Sequence, residues 1–387
     1  VKMNHKGVPS NLLTMLSVWG QIESPDAIKK YGKNVGLHPV GTGPFEFVEW
    51  IPDQRIVVKA YKEYWGGAPN IAQVVFRPVP DIQSRLAMLE AGDLDVIEQP
   101  PITEIDRLKS LPGIKLIQRP SGSGTMLFLM FNCVKSPFND KRIRQAICFA
   151  IDRKSIVNRL LMGNVMLADT YGAPNVKNIV KYDIYPYNPE KAKSILKELG
   201  WKPGKSGFLE KDGEVLRTTL ITASGRYPMD RQIAEATQSQ LKKVGIDIKV
   251  SVLESAAFIK ALMGDPQAKK VTESGIIIAA RPMGPDLENV FFTHFHSNSF
   301  PPKAMNCSIF VNSEVDRILV QATRELDDAK RTALYKRVQD ILNDEIPWLP
   351  IYAFMDSMVI RKGIEGVGYL NPFTSFLSVT KDARLGR

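Results

Sequence analysis

The passage from Val215 to Leu253 constrains the fold more than any other part of the chain. Val215–Ala223 reads as a strand, Met229–Val244 as a helix closed by Gly245, and Ile246–Leu253 as the next strand. Two strands joined through a helix by short loops make a parallel-sheet unit, since an antiparallel pair needs no crossover helix. The fold class expected is therefore α/β.

Other segments fit that class. Residues 10–34 read as helical, with Ser24-Pro25-Asp26 as an N-terminus signal. His38–Pro44 holds two Gly and two Pro and reads as a loop, and Phe45–Trp50, Arg55–Ala60 and Val74–Val79 read as strands. Asp81–Ala91 is an amphipathic helix with Leu86, Met88 and Leu89 near one face; Gly92 stops it, and Asp95-Val96-Ile97 begins a strand. This strand–helix–strand order points to a further α/β arrangement. Thr125–Asn132 is an apolar run suited to a buried strand. It follows Ser121-Gly122-Ser123-Gly124, which reads either as a domain crossover or as a plain turn. Helices are expected over Asp140–Leu161 and Pro189–Leu199, and two consecutive exposed helices over Val315–Glu325 and Asp327–Asn343. Ile346–Phe354 and Ser357–Ile360 have strand character.

A length of 387 residues suggests two or three domains. Hydrophobic residues at 44% and charged residues at 24% exclude a disordered chain, and three Cys without a CxxC spacing exclude a disulfide scaffold. The longest apolar stretches, Met126–Phe131 and Gly275–Ala280, fall short of the roughly 18–20 residues a bilayer requires. The net charge of +10 invites a nucleic-acid reading, but Lys141-Arg142-Arg144, Lys242-Lys243 and the other basic groups are short, scattered and interleaved with acids. Such charge belongs to a solvated surface, and no nucleic-acid partner is expected.

The sequence contains no GxSxG, no Walker A motif and no strand-linked GxGxxG. Ser121–Gly124 lacks the Lys a phosphate cradle needs. His294 and His296, with Asp286 and Glu288 nearby, form a metal candidate: on a strand, residues i and i+2 point to one face and two imidazoles can share an ion. Such a site would suit a metal-dependent hydrolase; the alternative is a pair of loop or helix-end histidines. Asp93 and Asp95 fit the capping of a turn better than acid/base work. Ser224-Gly225-Arg226-Tyr227-Pro228 lies in the loop after the strand Val215–Ala223. In open α/β sheets ligands bind at the carboxyl ends of strands, where Arg226 can grip a carboxylate and Tyr227 can pack on a ligand. The alternative is a surface arginine. The loop Arg281–Glu288, following the apolar strand Gly275–Ala280, is a second candidate wall.

Several segments together resemble one family. His38–Phe45 (HPVGTGPF), Tyr64–Gly67 (YWGG), Arg85–Asp95 (RLAMLEAGDLD), Asn132–Arg153, Tyr187–Ala192 and Ile346–Pro350 (IPWLP) resemble the solute-binding proteins of the peptide/nickel class of ABC importers, family 5. The likeness covers nearly the whole chain in one order. Ser24–Pro44, the stretch around Phe300-Pro301-Pro302 and Asn306, and Leu334-Tyr335-Lys336 look most similar to its glutathione-binding members.

The resemblance implies a periplasmic-binding-protein-like, type II fold of two lobes with mixed sheets joined by a hinge. It divides the chain into residues 1–37 as the remnant of a small extra domain, 38–125 with 347–387 as a first lobe, and 126–346 as a second, with crossings near Ser121–Thr125 and Asn343–Trp348. It implies a non-enzymatic, monomeric receptor without cofactor. This receptor binds a peptide or glutathione-like ligand between the lobes and delivers it to a membrane permease from the periplasm or from an anchor on the outer face. The ligand-binding residues it implies are Arg226 and Tyr227 for a peptide carboxylate, with Arg281, Met283 and Asp286 on the second wall. Peptide binders of the family carry an Asp for the peptide amine where this chain has Met283, so dipeptide recognition of the usual kind is not implied. A nickel-chelate receptor is the alternative within the family, with His294 or His296 as the weak metal candidates. Val1–Lys6 resembles a strand late in the small domain, which implies on the order of 100 residues ahead of it in relatives.

Overall fold

The computed structural model describes residues 10–119, 124–263, 274–284, 286–369 and 377–385. The chain forms two units: a larger one of residues 1–14 and 120–355, and a smaller one of 15–119 and 356–387. Of the segment Ser121–Thr125, only Gly124 and Thr125 lie within the described residues. Asn343–Trp348 is a helix-to-strand turn inside the larger unit.

The larger unit is built on a six-stranded sheet with spatial order Asp247–Leu253, Arg217–Ala223, Ile276–Pro282, Thr125–Phe131, Trp348–Ala353, Met166–Leu167. The first three strands are parallel and the next pairings antiparallel. The expected β–α–β unit is thus present: Arg217–Ala223 and Asp247–Leu253 pair over seven residues, with the helix Asp230–Lys242 between them. In the middle of the sheet, every residue of Met126–Phe131 is buried, and so is every residue of Ile276–Arg281. A strand covered on both faces has no polar side to show, which is why these runs lack alternation.

The helix expected over Asp140–Leu161 breaks in two. Lys141–Ala150 is helical, Ile151 leaves in an extended conformation, and Asp152 opens a new turn by accepting a hydrogen bond from the Ser155 amide at 2.9 Å. Asp is a strong N-cap and a weak interior residue, so it restarts the helix there. Ser313–Ala322 and Asp328–Glu345 form the two expected helices, but they are not simply exposed: Val315, Ile318, Leu319 and Ala322 on one, and Val338, Ile341 and Leu342 on the other, are buried.

The smaller unit holds two three-stranded antiparallel sheets. One is Phe45–Ile51, Arg55–Ala60, Gln73–Phe76; the other places Asp356–Arg361 between Val96–Glu98 and Ile114–Arg119. The expected strand–helix–strand passage therefore does not form one parallel unit: Gln73–Phe76 and Val96–Glu98 belong to different sheets. The intervening helix Ile82–Ala91 starts at the Asp81 cap and stops at Gly92, whose φ of 87° costs a glycine little. Leu86 and Leu89 on this helix pack with Ile97, Leu108, Ile114 and Val359 as the unit's core. Arg119 pairs with Asp356 across neighbouring strands.

Candidate functional site

The parallel strands Arg217–Ala223, Asp247–Leu253 and Ile276–Pro282 all end on one edge of the larger unit's sheet. The loop after Ala223 is tied to its neighbour where the Ser224 amide donates to the Leu253 carbonyl at 2.9 Å. Gly225 (φ 65°) and Met229 (φ 57°) then turn the chain through left-handed conformations into the helix Asp230–Lys242. Asp230 fixes this turn. Its carboxylate is buried; Oδ2 accepts from the amides of Arg226 (2.9 Å) and Tyr227 (3.2 Å), and Oδ1 from the Arg231 amide (2.8 Å). Three charge-assisted hydrogen bonds hold the backbone of the loop that carries Arg226 and Tyr227.

Arg226 is exposed. Its Nη1 donates to Ser255 Oγ at 3.0 Å, at the start of the helix Ser255–Met263, and its guanidinium lies 5.9 Å from the centre of the Tyr227 ring. Tyr227 in turn packs edge-on against buried Phe258, with ring centres 6.2 Å apart. Among the described residues no carboxylate pairs with Arg226. The result is a pre-positioned cation beside an aromatic ring, at the strand ends. Asp230 and Ser255 were not singled out in the sequence. For Asp230 the signal was present as an acid in the first turn of the following helix; for Ser255, brought in from another loop, there was none.

The second wall is more enclosed. Arg281 is buried at the end of Ile276–Pro282, and its Nη2 donates to Cys307 Sγ at 3.2 Å. Met283 is fully buried; its amide donates to the Gly124 carbonyl at 2.6 Å and its carbonyl accepts from the Ala173 amide at 3.0 Å. Asp286 caps the helix Leu287–Phe295 through the Asn289 amide at 2.9 Å, and burial raises its pKa against the opposing pull of that bond. Burial likewise raises Glu288, which accepts from Ser10 Oγ at 2.6 Å.

The two histidines do not lie on a strand. His294 sits in the last turn of Leu287–Phe295 and His296 is its C-cap. His296 stacks on Phe292 at 4.3 Å, and its Nδ1 accepts from the Asn298 amide at 3.0 Å. His294 lies against Trp348 with ring centres 5.2 Å apart. Asp286 and His294 stand at opposite ends of one helix, about 12 Å apart at 1.5 Å per residue, so the set expected for a hydrolase does not converge. Among the described residues no group of three or more His, Cys, Asp or Glu is placed to hold a metal ion.

Residues 1–291 match the family described as "Bacterial extracellular solute-binding proteins, family 5 Middle". The chain belongs to this family. The glutathione-binding protein GsiB of Shigella dysenteriae is 30% identical over 354 residues, which are 91% of this chain and 66% of that protein. The chain thus spans slightly less than two thirds of this relative's length. The oligopeptide-binding protein AppA of Bacillus subtilis, solved in complex with a nonapeptide, is 26% identical with a TM-score of 0.76, over 99% of this chain and 75% of AppA. NikA of Staphylococcus aureus, solved with Ni(L-His)2, has a TM-score of 0.76 over 98% of this chain and 75% of its own; at 21% identity it shows a shared fold alone. The solved neighbours are type II periplasmic binding proteins, the fold class that the family resemblance implied. Family 5 members are extracellular solute-binding proteins, and no helix among the described residues is long and apolar enough to cross a membrane.

Proposed function

We propose that this chain acts as a solute receptor of an ABC importer. It takes up a peptide or glutathione-like ligand by its carboxylate, outside the cytoplasmic membrane, and delivers it to a permease as a monomer without catalysing a reaction. One observation carries the reading: an exposed guanidinium, held at the carboxyl edge of the sheet by the Asp230-pinned loop, has no carboxylate partner among the described residues. A ligand carboxylate is the natural counterpart of such a fork, and the Tyr227 ring offers an apolar surface next to it. The glutathione-binding and oligopeptide-binding relatives support the ligand class.

Calorimetric titration with glutathione, short peptides and nickel chelates tests the proposal; a folded protein that binds none of them ends it. Arg226→Ala is expected to weaken a carboxylate ligand by about 1.5–3 kcal/mol, the worth of a charge-assisted hydrogen bond, and unchanged affinity removes Arg226 from the site. The nickel-chelate reading stands as the alternative within the family. Tighter binding of the chelate than of any peptide in the same titration would put it first.

A further inference from the structure

Four carboxylates follow the carboxyl ends of the parallel strands Arg217–Ala223, Asp247–Leu253 and Ile276–Pro282, and the fold occupies three of them. After Ala223, Asp230 is buried and its oxygens are taken up by the amides of Arg226, Tyr227 and Arg231. After Pro282, Asp286 caps a helix through the Asn289 amide and Glu288 accepts from Ser10 Oγ; both are half-buried. After Leu253 comes Glu254, the only one of the four that is exposed. Its carbonyl accepts from the Phe258 amide at 2.8 Å as the helix Ser255–Met263 begins. Its carboxylate takes part in no ion pair or hydrogen bond among the described residues.

The free carboxylate and the free guanidinium are neighbours. The Ser224 amide, at 2.9 Å from the Leu253 carbonyl, ties the two loops together, and Arg226 Nη1 donates to Ser255 Oγ at 3.0 Å. Ser255 directly follows Glu254, and consecutive Cα atoms are about 3.8 Å apart, so the Glu254 Cα lies within about 9 Å of that nitrogen. The two unlike charges still form no ion pair with each other. An exposed pair is worth only about 0–1 kcal/mol, so leaving it unmade costs little and both groups stay open to a ligand. A ligand whose ammonium and carboxylate are close together answers both at once. The head of an α-amino acid carries the two groups on one carbon, whereas an ordinary peptide separates them by its whole length. Met283 takes no part in such a contact, because its side chain is fully buried.

We propose that Glu254 receives the ammonium of the ligand whose carboxylate Arg226 grips, so that this edge of the sheet selects an α-amino-acid headgroup. The inference rests on the receptor reading and makes Glu254 its specificity-determining residue. The headgroup can belong to a free amino acid or to the γ-glutamyl end of a peptide such as glutathione, and the two sources are separated by experiment.

The test is calorimetric titration of the full chain with glutathione, N-acetylglutathione and free glutamate, in the parent and in Glu254→Gln. Glu214→Gln, which removes an exposed charge from the strand Glu214–Val215, is the control. The parent is expected to bind glutathione about tenfold or more tightly over its N-acetyl form, the scale of one charge-assisted hydrogen bond. Glu254→Gln is expected to narrow that preference to about twofold by weakening glutathione alone, and Glu214→Gln to leave it unchanged. Free glutamate bound with the same dependence on Glu254 identifies the headgroup alone as the ligand; glutathione bound without glutamate identifies the γ-glutamyl peptide. A preference that is the same in the parent and Glu254→Gln, or that Glu214→Gln narrows equally, overturns the inference. Glutathione binding with either result leaves the receptor reading standing, and a folded parent that binds no glutathione, peptide or chelate removes both.

Discussion

The central strands of the larger unit and the first strand of the smaller one treat apolar sequence differently. In the larger one, Met126–Phe131 and Ile276–Arg281 are buried residue after residue. In the smaller one, Phe45–Ile51 alternates half-buried and exposed positions, and Val48 and Trp50 remain 47% and 46% exposed. An unbroken apolar run belongs to a strand covered on both faces, and alternation to a strand covered on one. The cost of covering both faces is that every polar group inside must find a partner. Among the described residues, the larger unit accordingly holds all three buried arginines, two of them saturated by carbonyls.

The largest test of this contrast is a pair of truncations. Leu129→Ala in the central strand is expected to cost about 2–5 kcal/mol in urea unfolding, and Val48→Ala about 0.5 kcal/mol or less. Equal losses would break the comparison. Next comes acid. His294 is held neutral because burial lowers its pKa from 6.5 to about 3. The unfolded chain takes up a proton below pH 6.5 and the folded chain does not until about pH 3, so stability falls across that window, at up to about 1.4 kcal/mol per pH unit. His294→Leu should flatten this fall by about 2 kcal/mol at pH 5; a parallel pH profile for parent and variant would show the ring to be hydrated.

The smallest expected effect lies in the other unit and has the opposite sign. Burial, followed by the Asp356 charge, raises the pKa of Glu98 above 4.5. Its contribution to stability is present below pH 4.5 and is lost as pH rises through the raised value. Glu98→Gln should therefore stabilise the smaller unit at neutral pH and leave it nearly unchanged at pH 4, read by hydrogen exchange at Ile97 and Val359. Stabilisation that is equal at both pH values would point to packing instead.

Much of the fold could be read from local pattern. The strand–helix–strand passage ending at Leu253 appears with its strands in register, since each element carries its own period and stop signal. The Asp152 restart could have been read from its cap chemistry. Arg226 and Tyr227 were legible as loop residues at a strand end, because loop position follows from element order. Three features were not. Thr125–Phe131 lies antiparallel to Ile276–Pro282 across about 150 residues of chain, which no local signal encodes. The strands Gln73–Phe76 and Val96–Glu98, adjacent in sequence, went to different sheets. His294 and His296, consistent with a strand or a helix end, fell on the helix end once the Asp286 cap started the turn.

The sequence by itself determined the elements, the α/β class and the place of Arg226 after a strand, because caps, glycines and hydrophobic period act within a few residues. Only the tertiary structure decided that Ser255 meets Arg226 and that Arg281 is buried with little more than a thiol for company. Those outcomes depend on which distant strands become neighbours, and the energies that choose among pairings are summed over the whole sheet.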